Sequence, residues 1–305
     1  MKTWRLNSWF GTMDAHYYKS FDMFAKKTNK QYEYNKVFKR YLPSVVQRIA
    51  SSFGNERSQF NILSVGSGSG EVDIKIVDII QQELKNQQGT RMNILNRAIE
   101  PNKCLRKGYK KNVGKLGKKK MSSCTYEIKP QTFQEYQESQ DVSMSFDIVH
   151  FIHSLYYLDL EQAILYCAET QLGEKGCLVF MLNDDDNVCS KVLAKQDELA
   201  GKTMNLSEVN SPLRLTEQLM KIAEKYGWKF EIHSAVLYID VTEVFNDDSV
   251  EGSLLLDFFT NTENYRENVP EHFLQETLTL IQQESFVKGG KRYGEIHESL
   301  AILYK

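Results

Sequence analysis

The chain has 305 residues, 41% of them hydrophobic, and a formal net charge of -2. That is ample for one large domain, or a domain with a smaller cap, and the charge argues against wholesale binding to nucleic acid or an anionic membrane. No apolar run approaches the ~18 residues of a membrane span, and the start, "MKTWRLNSWFGTMDAHYYKS", lacks the apolar segment of a secretory signal. Cys104, Cys124, Cys167, Cys177 and Cys189 are scattered, with no CxxC pair and no zinc-like spacing. Reduced thiols, no structural metal and a cytoplasmic location are therefore expected.

From about residue 14 to residue 51, Phe21, Phe24, Tyr34, Val37, Phe38 and Tyr41 recur at helical intervals, with a break expected at Pro43. Short apolar runs then alternate with amphipathic stretches. "FNILSV", "MNILNRAIE", "CTYEI", "FDIVHFI" and "GCLVFML" read as strands, and residues 72–84 and 160–171 as helices. This alternation predicts βαβ units and a parallel sheet. After the polar turn "NDDDN" (residues 183–187), helical material runs to about Tyr226, "WKFEIHSAVLYIDV" reads as a strand, residues 250–259 as a helix, and "SLAILYK" as a strand of the same sheet. Residues 103–120, "KCLRKGYKKNVGKLGKKK", hold nine basic residues and no acid. Apart from Tyr109 the run lacks the aromatic interleaving of a nucleic-acid platform, so it reads as a solvated helix and loop.

Two features carry chemistry. In "NILSVGSGSGEVDI", Gly66, Gly68 and Gly70 stand two apart after the first strand, with Ser67 between the first two. Glycine lets a backbone approach a ligand where a Cβ would block it, and this turn falls at the carboxyl end of a parallel strand, where open α/β sheets bind ligands. The second is Glu100, ending the second strand before Pro101; an acid there accepts hydrogen bonds from both ribose hydroxyls of a nucleoside. The pair favours S-adenosylmethionine over NAD. A dinucleotide sets its pyrophosphate on the helix N-terminus, and Glu71, directly after Gly70, would repel a diphosphate there but not a sulfonium.

With "ILSVGSGSGEVDI", "AIEP", "FDIVHFIHSLYYL" and "LLLDFFTNT", the chain resembles the histamine N-methyltransferase family, in order from about Tyr17 to its end. The resemblance implies an α/β fold: a Rossmann-like seven-stranded methyltransferase sheet with helices on both faces, an N-terminal helical cap and a smaller substrate-binding part. The expected divisions are a cap over 1–52, a cofactor-binding core over 53–185, and substrate-binding insertions with the last two strands over 186–305. Carried over, the S-adenosylmethionine positions are Gly66, Ser67, Gly68, Gly70, Glu100, Thr132, Phe133 and Ile152. A family glutamine just after the acid is replaced by Leu105.

The substrate positions depart further. Lys30, His153 and Glu298 fall where the family anchors histamine with a glutamate, a glutamine and an asparagine, and Val188 and Val192 replace paired tryptophans. Tyr17, Phe21, Tyr157, Asn183 and Phe258 complete the expected acceptor pocket, with His153 the candidate to accept a proton or orient the nucleophile. A lysine in place of the glutamate that meets an ammonium reverses the electrostatic demand. The resemblance thus implies a monomeric, small-molecule N-methyltransferase for an amine or imidazole carrying a carboxylate, such as an amino acid, an imidazole acid or a carnosine-like dipeptide, and not histamine. Histamine methylation proper, O-methylation, and a catalytically silent cofactor-binding protein remain as alternatives.

Overall fold

The structure, a computed structural model, describes residues 15–54, 57–88, 92–117, 123–139, 144–184, 187–199 and 215–305. The expected helix start at residue 14, lysines 118–120 and residues 200–214 of the expected helical material lie outside the described residues.

The first helical stretch is two helices, α1 (Ala15–Lys27) and α2 (Lys30–Ala50), and the break is not at Pro43. Proline removes one helical hydrogen bond, to the carbonyl four residues back. Here that carbonyl belongs to exposed Lys39, while Phe38, Leu42, Val45, Val46 and Ile49 are buried along the other face, so the helix continues through it. The chain breaks at Thr28 and Asn29 instead. Thr28 forms an isolated bridge with Ile239, and the Asn29 amide donates to the Tyr238 carbonyl at 3.1 Å.

The alternating segment follows as expected: β1 (Gln59–Val65), α3 (Glu71–Gln88), β2 (Asn93–Ile99), α4 (Lys103–Gly114), β3 (Cys124–Lys129), α5 (Phe133–Glu138), β4 (Phe146–Ile152), α6 (Leu160–Tyr166, continued by a π turn over Cys167–Gln171) and β5 (Leu172–Asn183). Neighbouring strands β3, β2, β1, β4 and β5 pair in parallel. β4 buries every residue before Ile152, as a strand covered on both faces must. Beyond them come α7 (Val188–Leu199), α8 (Leu215–Tyr226), β6 (Lys229–Asp240), α9 (Val250–Thr260), α10 (Tyr265–Asn268), α11 (Glu271–Gln283), β7 (Ser285–Lys288) and β8 (Lys291–Tyr304). The sheet order is β3-β2-β1-β4-β5-β8-β6, and β7 pairs with β8. This is the Rossmann-like sheet with one short strand added. The direction of strand order reverses between β1 and β4, and ligands of doubly wound sheets bind at the carboxyl ends beside such a reversal.

The chain forms two compact units, each built from several stretches. One comprises Asn35–Leu182, Thr216–His233 and Ser299–Lys305. Beneath its sheet's amino edge, Arg57 clamps Asp147 with one nitrogen at 2.6 and 2.8 Å from the two carboxylate oxygens, and the Asn61 amide adds a third bond at 2.8 Å. Burial outweighs these partners and pushes the Asp147 carboxyl up to about 6. Between its ordinary value near 4 and about 6 the folded protein keeps a proton that the unfolded chain has released, so stability should fall as pH rises through that window. Asp147→Asn should flatten this part of the slope, read from urea midpoints at pH 4.5 and 7. An equal slope in the variant would rule the group out as its source.

Among the described residues the second unit gathers the chain from Ala15 to Tyr34, the stretch from Asn183 through α7, and Ser234–Glu298. His16 of α1 lies 2.6 Å from the Asp257 carboxylate of α9, which also accepts the Asn264 and Tyr265 amides at 3.0 and 2.8 Å. Gln196 of α7 donates to Thr277 of α11 at 2.8 Å and accepts from the Tyr265 hydroxyl at 2.8 Å. These buried polar side chains are thus hydrogen-bonded, as their removal from water requires.

Candidate active site

The three glycines of the turn after β1 all have left-handed backbone, with φ of 68° at Gly66, 57° at Gly68 and 73° at Gly70. Their surroundings differ. A Cβ on Gly66 would fall 2.5 Å from the Ser154 Cβ, and one on Gly70 2.5 Å from the Tyr109 ring. Around Gly68 a Cβ would meet nothing within 4 Å. The outer glycines are required by packing, and the middle one presents bare backbone to open space. The turn is tied to the end of β2, where the Ile99 carbonyl accepts the Gly66 and Ser67 amides at 2.9 and 3.2 Å.

Glu100 faces this turn with only 5% of its surface exposed. One carboxylate oxygen accepts the Gly68 amide at 2.9 Å and the other the Asn102 amide at 2.8 Å. Each oxygen retains a further lone pair. Burial raises the Glu100 pKa, opposed by the two amides and by Arg106, whose guanidinium donates to the Glu100 carbonyl at 2.9 Å. In the same turn the Ser67 hydroxyl is buried with no hydrogen-bond partner among the described residues. An orphaned hydroxyl, an open glycine and a buried carboxylate form a cradle suited to the hydroxyl-rich ribose of a nucleoside.

Thr132 caps α5, its hydroxyl accepting the Glu135 amide at 3.1 Å while its own amide donates to the Glu135 carboxylate at 2.7 Å. Phe133 is buried edge-on to Phe151 and Tyr166. Ile152 ends β4 opposite Met181. His153 follows with a left-handed φ of 53°, its amide held by the Met181 carbonyl at 3.0 Å. A non-glycine residue in that region carries strain of about 1–2 kcal/mol, and such strain clusters at functional sites. The imidazole Nδ1 lies 2.5 Å from the Tyr156 hydroxyl, while Tyr157 stands 47% exposed. The bond between Nδ1 and the phenol fixes the orientation of the imidazole ring.

Within the second unit, four expected acceptor residues come together. Phe258 stacks on Phe24 at 4.4 Å between ring centroids and lies 6.0 Å from Phe21 and 6.4 Å from Tyr17. The Lys30 ammonium sits 4.8 Å from the Phe21 ring centroid, within the range of a cation–π contact. Asn183 ends β5, and Glu298 is buried near the middle of β8. Asp73 and Asn96, which hold the Tyr109 hydroxyl at 2.8 and 2.9 Å, were not among the expected site residues, and neither was Tyr109. Polar residues inside otherwise apolar segments were the available signal.

No family model matches the chain. Among curated proteins it is 27% identical over 282 residues to histamine N-methyltransferase A of Xenopus laevis, covering 91% of each chain. It is 26% identical over 276 residues to the histamine N-methyltransferase of Mus musculus, covering 89% of this chain and 88% of the mouse protein. Among solved structures, the plantazolicin methyltransferase BpumL in complex with SAH superposes with a TM-score of 0.47 at 14% identity, over 98% of this chain and 93% of that one.

Proposed function

We propose, from the premise that this chain is a divergent relative of the histamine N-methyltransferases, that it transfers a methyl group from S-adenosylmethionine to a small amine or imidazole carrying a carboxylate. The observation that carries the cofactor reading is the cradle at Gly68, where open backbone meets the buried Glu100 carboxylate, with the orphaned Ser67 hydroxyl one residue away in the same turn. When bound, the cofactor supplies an electrophilic methyl group on a sulfonium. Glu100 accepts the ribose hydroxyls, Ser67 offers its unused hydroxyl, and Gly68 leaves room for the ligand. His153, fixed by its backbone bond and by Tyr156, takes or steers the proton of the acceptor nitrogen.

Lys30 supports the acceptor reading. Its ammonium is held against aromatic rings, so it favours an anionic group where the relatives named for histamine would meet a cation. Calorimetry with S-adenosylhomocysteine and NAD tests the cofactor half, with binding of the first and not the second expected. A cofactor-consumption screen over histamine, histidine, imidazole acids and carnosine tests the acceptor half. Lys30→Glu should shift the ratio of kcat/KM for histamine over the best carboxylate-bearing acceptor by about tenfold toward histamine, equivalent to ~1.4 kcal/mol. An unchanged ratio would remove Lys30 from acceptor selection, and wild-type preference for histamine would overturn the carboxylate reading.

A further inference from the structure

We infer that Tyr109, on the lysine-rich helix α4, is the positioning residue of the glycine turn, and that α4 thereby sets cofactor affinity. The inference rests on the cofactor reading of that turn. Tyr109 is fully buried. Its ring occupies the space a Cβ on Gly70 would need, at 2.5 to 2.6 Å from three ring carbons, so the ring and the left-handed Gly70 define one another's place. The hydroxyl donates to the Asp73 carboxylate at 2.8 Å and accepts from the Asn96 amide at 2.9 Å.

Asp73 lies in the first turn of α3, immediately beyond the glycines, where a carboxylate also suits the helix dipole. It is 2% exposed and further holds the Ser64 hydroxyl of β1 at 3.0 Å and the Asn96 amide of β2 at 3.2 Å. The phenol therefore links α4 directly to β2 and to the start of α3, and through Asp73 to β1. Burial, with Asp73 alongside, pushes its pKa well above the ordinary value, so it stays a donor.

A further contact runs from α4 to the same turn. The Asn112 side-chain amide donates to the Ser69 carbonyl at 3.1 Å, and Gly108 passes close enough that a Cβ there would stand in ordinary contact with the Ser69 Cβ, at 3.4 Å. The helix also begins where Glu100 is held: Asn102 caps it through bonds from the Cys104 and Leu105 amides at 2.8 and 3.2 Å, and its own amide reaches Glu100 at 2.8 Å. One helix thus braces both halves of the cradle. The basic run reads as a solvated face in sequence, yet its inward side fixes the backbone that meets the ligand.

Tyr109→Phe keeps the ring and removes the hydroxyl, and Asn112→Ala removes the contact to Ser69 from a partly exposed position. In the full-length protein, amide exchange at residues 67–71 without ligand should quicken at least fivefold in each variant. The Kd for S-adenosylhomocysteine should rise about tenfold in Tyr109→Phe and about threefold in Asn112→Ala. The cofactor KM should rise with it, while kcat and the acceptor KM stay within twofold, a split that general destabilisation does not produce. Unchanged exchange and unchanged Kd in a folded Tyr109→Phe overturn the inference, and if Tyr109→Phe does not fold, the same result in Asn112→Ala overturns it. Wild-type protein that binds no S-adenosylhomocysteine while the variants still quicken exchange would sink the cofactor reading and leave the brace intact.

Discussion

Glu100→Ala should weaken S-adenosylhomocysteine binding by about 1–3 kcal/mol, a 5- to 150-fold rise in Kd. The carboxylate is the one acceptor for the Gly68 amide in the described structure and also takes the Asn102 amide, so truncation disturbs the turn as well as the ribose contact. Glu100→Gln separates the two effects, since an amide oxygen can still accept one amide while the charge is gone. Because burial raises the Glu100 pKa, its ionised form is lost on acidification earlier than that of an exposed glutamate. Cofactor affinity should therefore fall as pH drops, starting above the usual carboxylate range, and Glu100→Gln should remove that dependence. Isothermal titration from pH 8 to pH 5 reads both. A Kd in Glu100→Ala within twofold of wild type would mean that the ribose lies elsewhere.

The largest loss of stability is expected from Gly252→Ala. Gly252 sits in the first turn of α9, and a Cβ there would fall 1.9 Å from the Glu243 carbonyl oxygen and 2.6 Å from its carbon. These are backbone atoms of the 3-10 turn Thr242–Phe245, so no side chain can swing aside. Overpacking in a core costs about 1–3 kcal/mol when side chains can adjust; against rigid backbone the cost should exceed ~3 kcal/mol. The same helix carries Asp257, which holds His16, and Phe258, which stacks on Phe24. Its displacement should loosen α1 with it. A thermal midpoint in Gly252→Ala equal to that of wild type would show that α9 does not pack so closely on the turn.

Much of this was legible in the sequence for local reasons. The five parallel strands are apolar runs punctuated by amphipathic helices, and their periodicity survives folding unchanged. The glycine turn and Glu100 were legible because each uses a residue type with few other uses at a strand end. What escaped depended on distant partners. Pro43 looks like a helix breaker, but only the buried face opposite Lys39 decides that the helix runs through it. The break at Asn29 is set by a hydrogen bond to Tyr238, far along the chain. The hairpin of β7 and β8 did leave a signal in Gly289 and Gly290, whose φ values of 60° and 77° suit a two-residue turn. Tyr109 was visible only as an aromatic residue in a basic run, because its partners Asp73 and Asn96 come from other elements.

The sheet order has a consequence for how the protein is made. β8 stands between β5 and β6, so β6 leaves the ribosome before the strand that connects it to the rest of the sheet has been synthesised. Until β8 is made, β6 lacks its neighbour in the sheet and has the Thr28–Asn29 break to pair with, while apolar Ala235, Leu237 and Ile239, all buried in the finished fold, wait for their cover. Unpaired edges of this kind recruit other chains. The nascent polypeptide therefore carries an aggregation hazard at a stage when its first five strands are already available to fold, and slower elongation past Asp240 would lengthen that exposure.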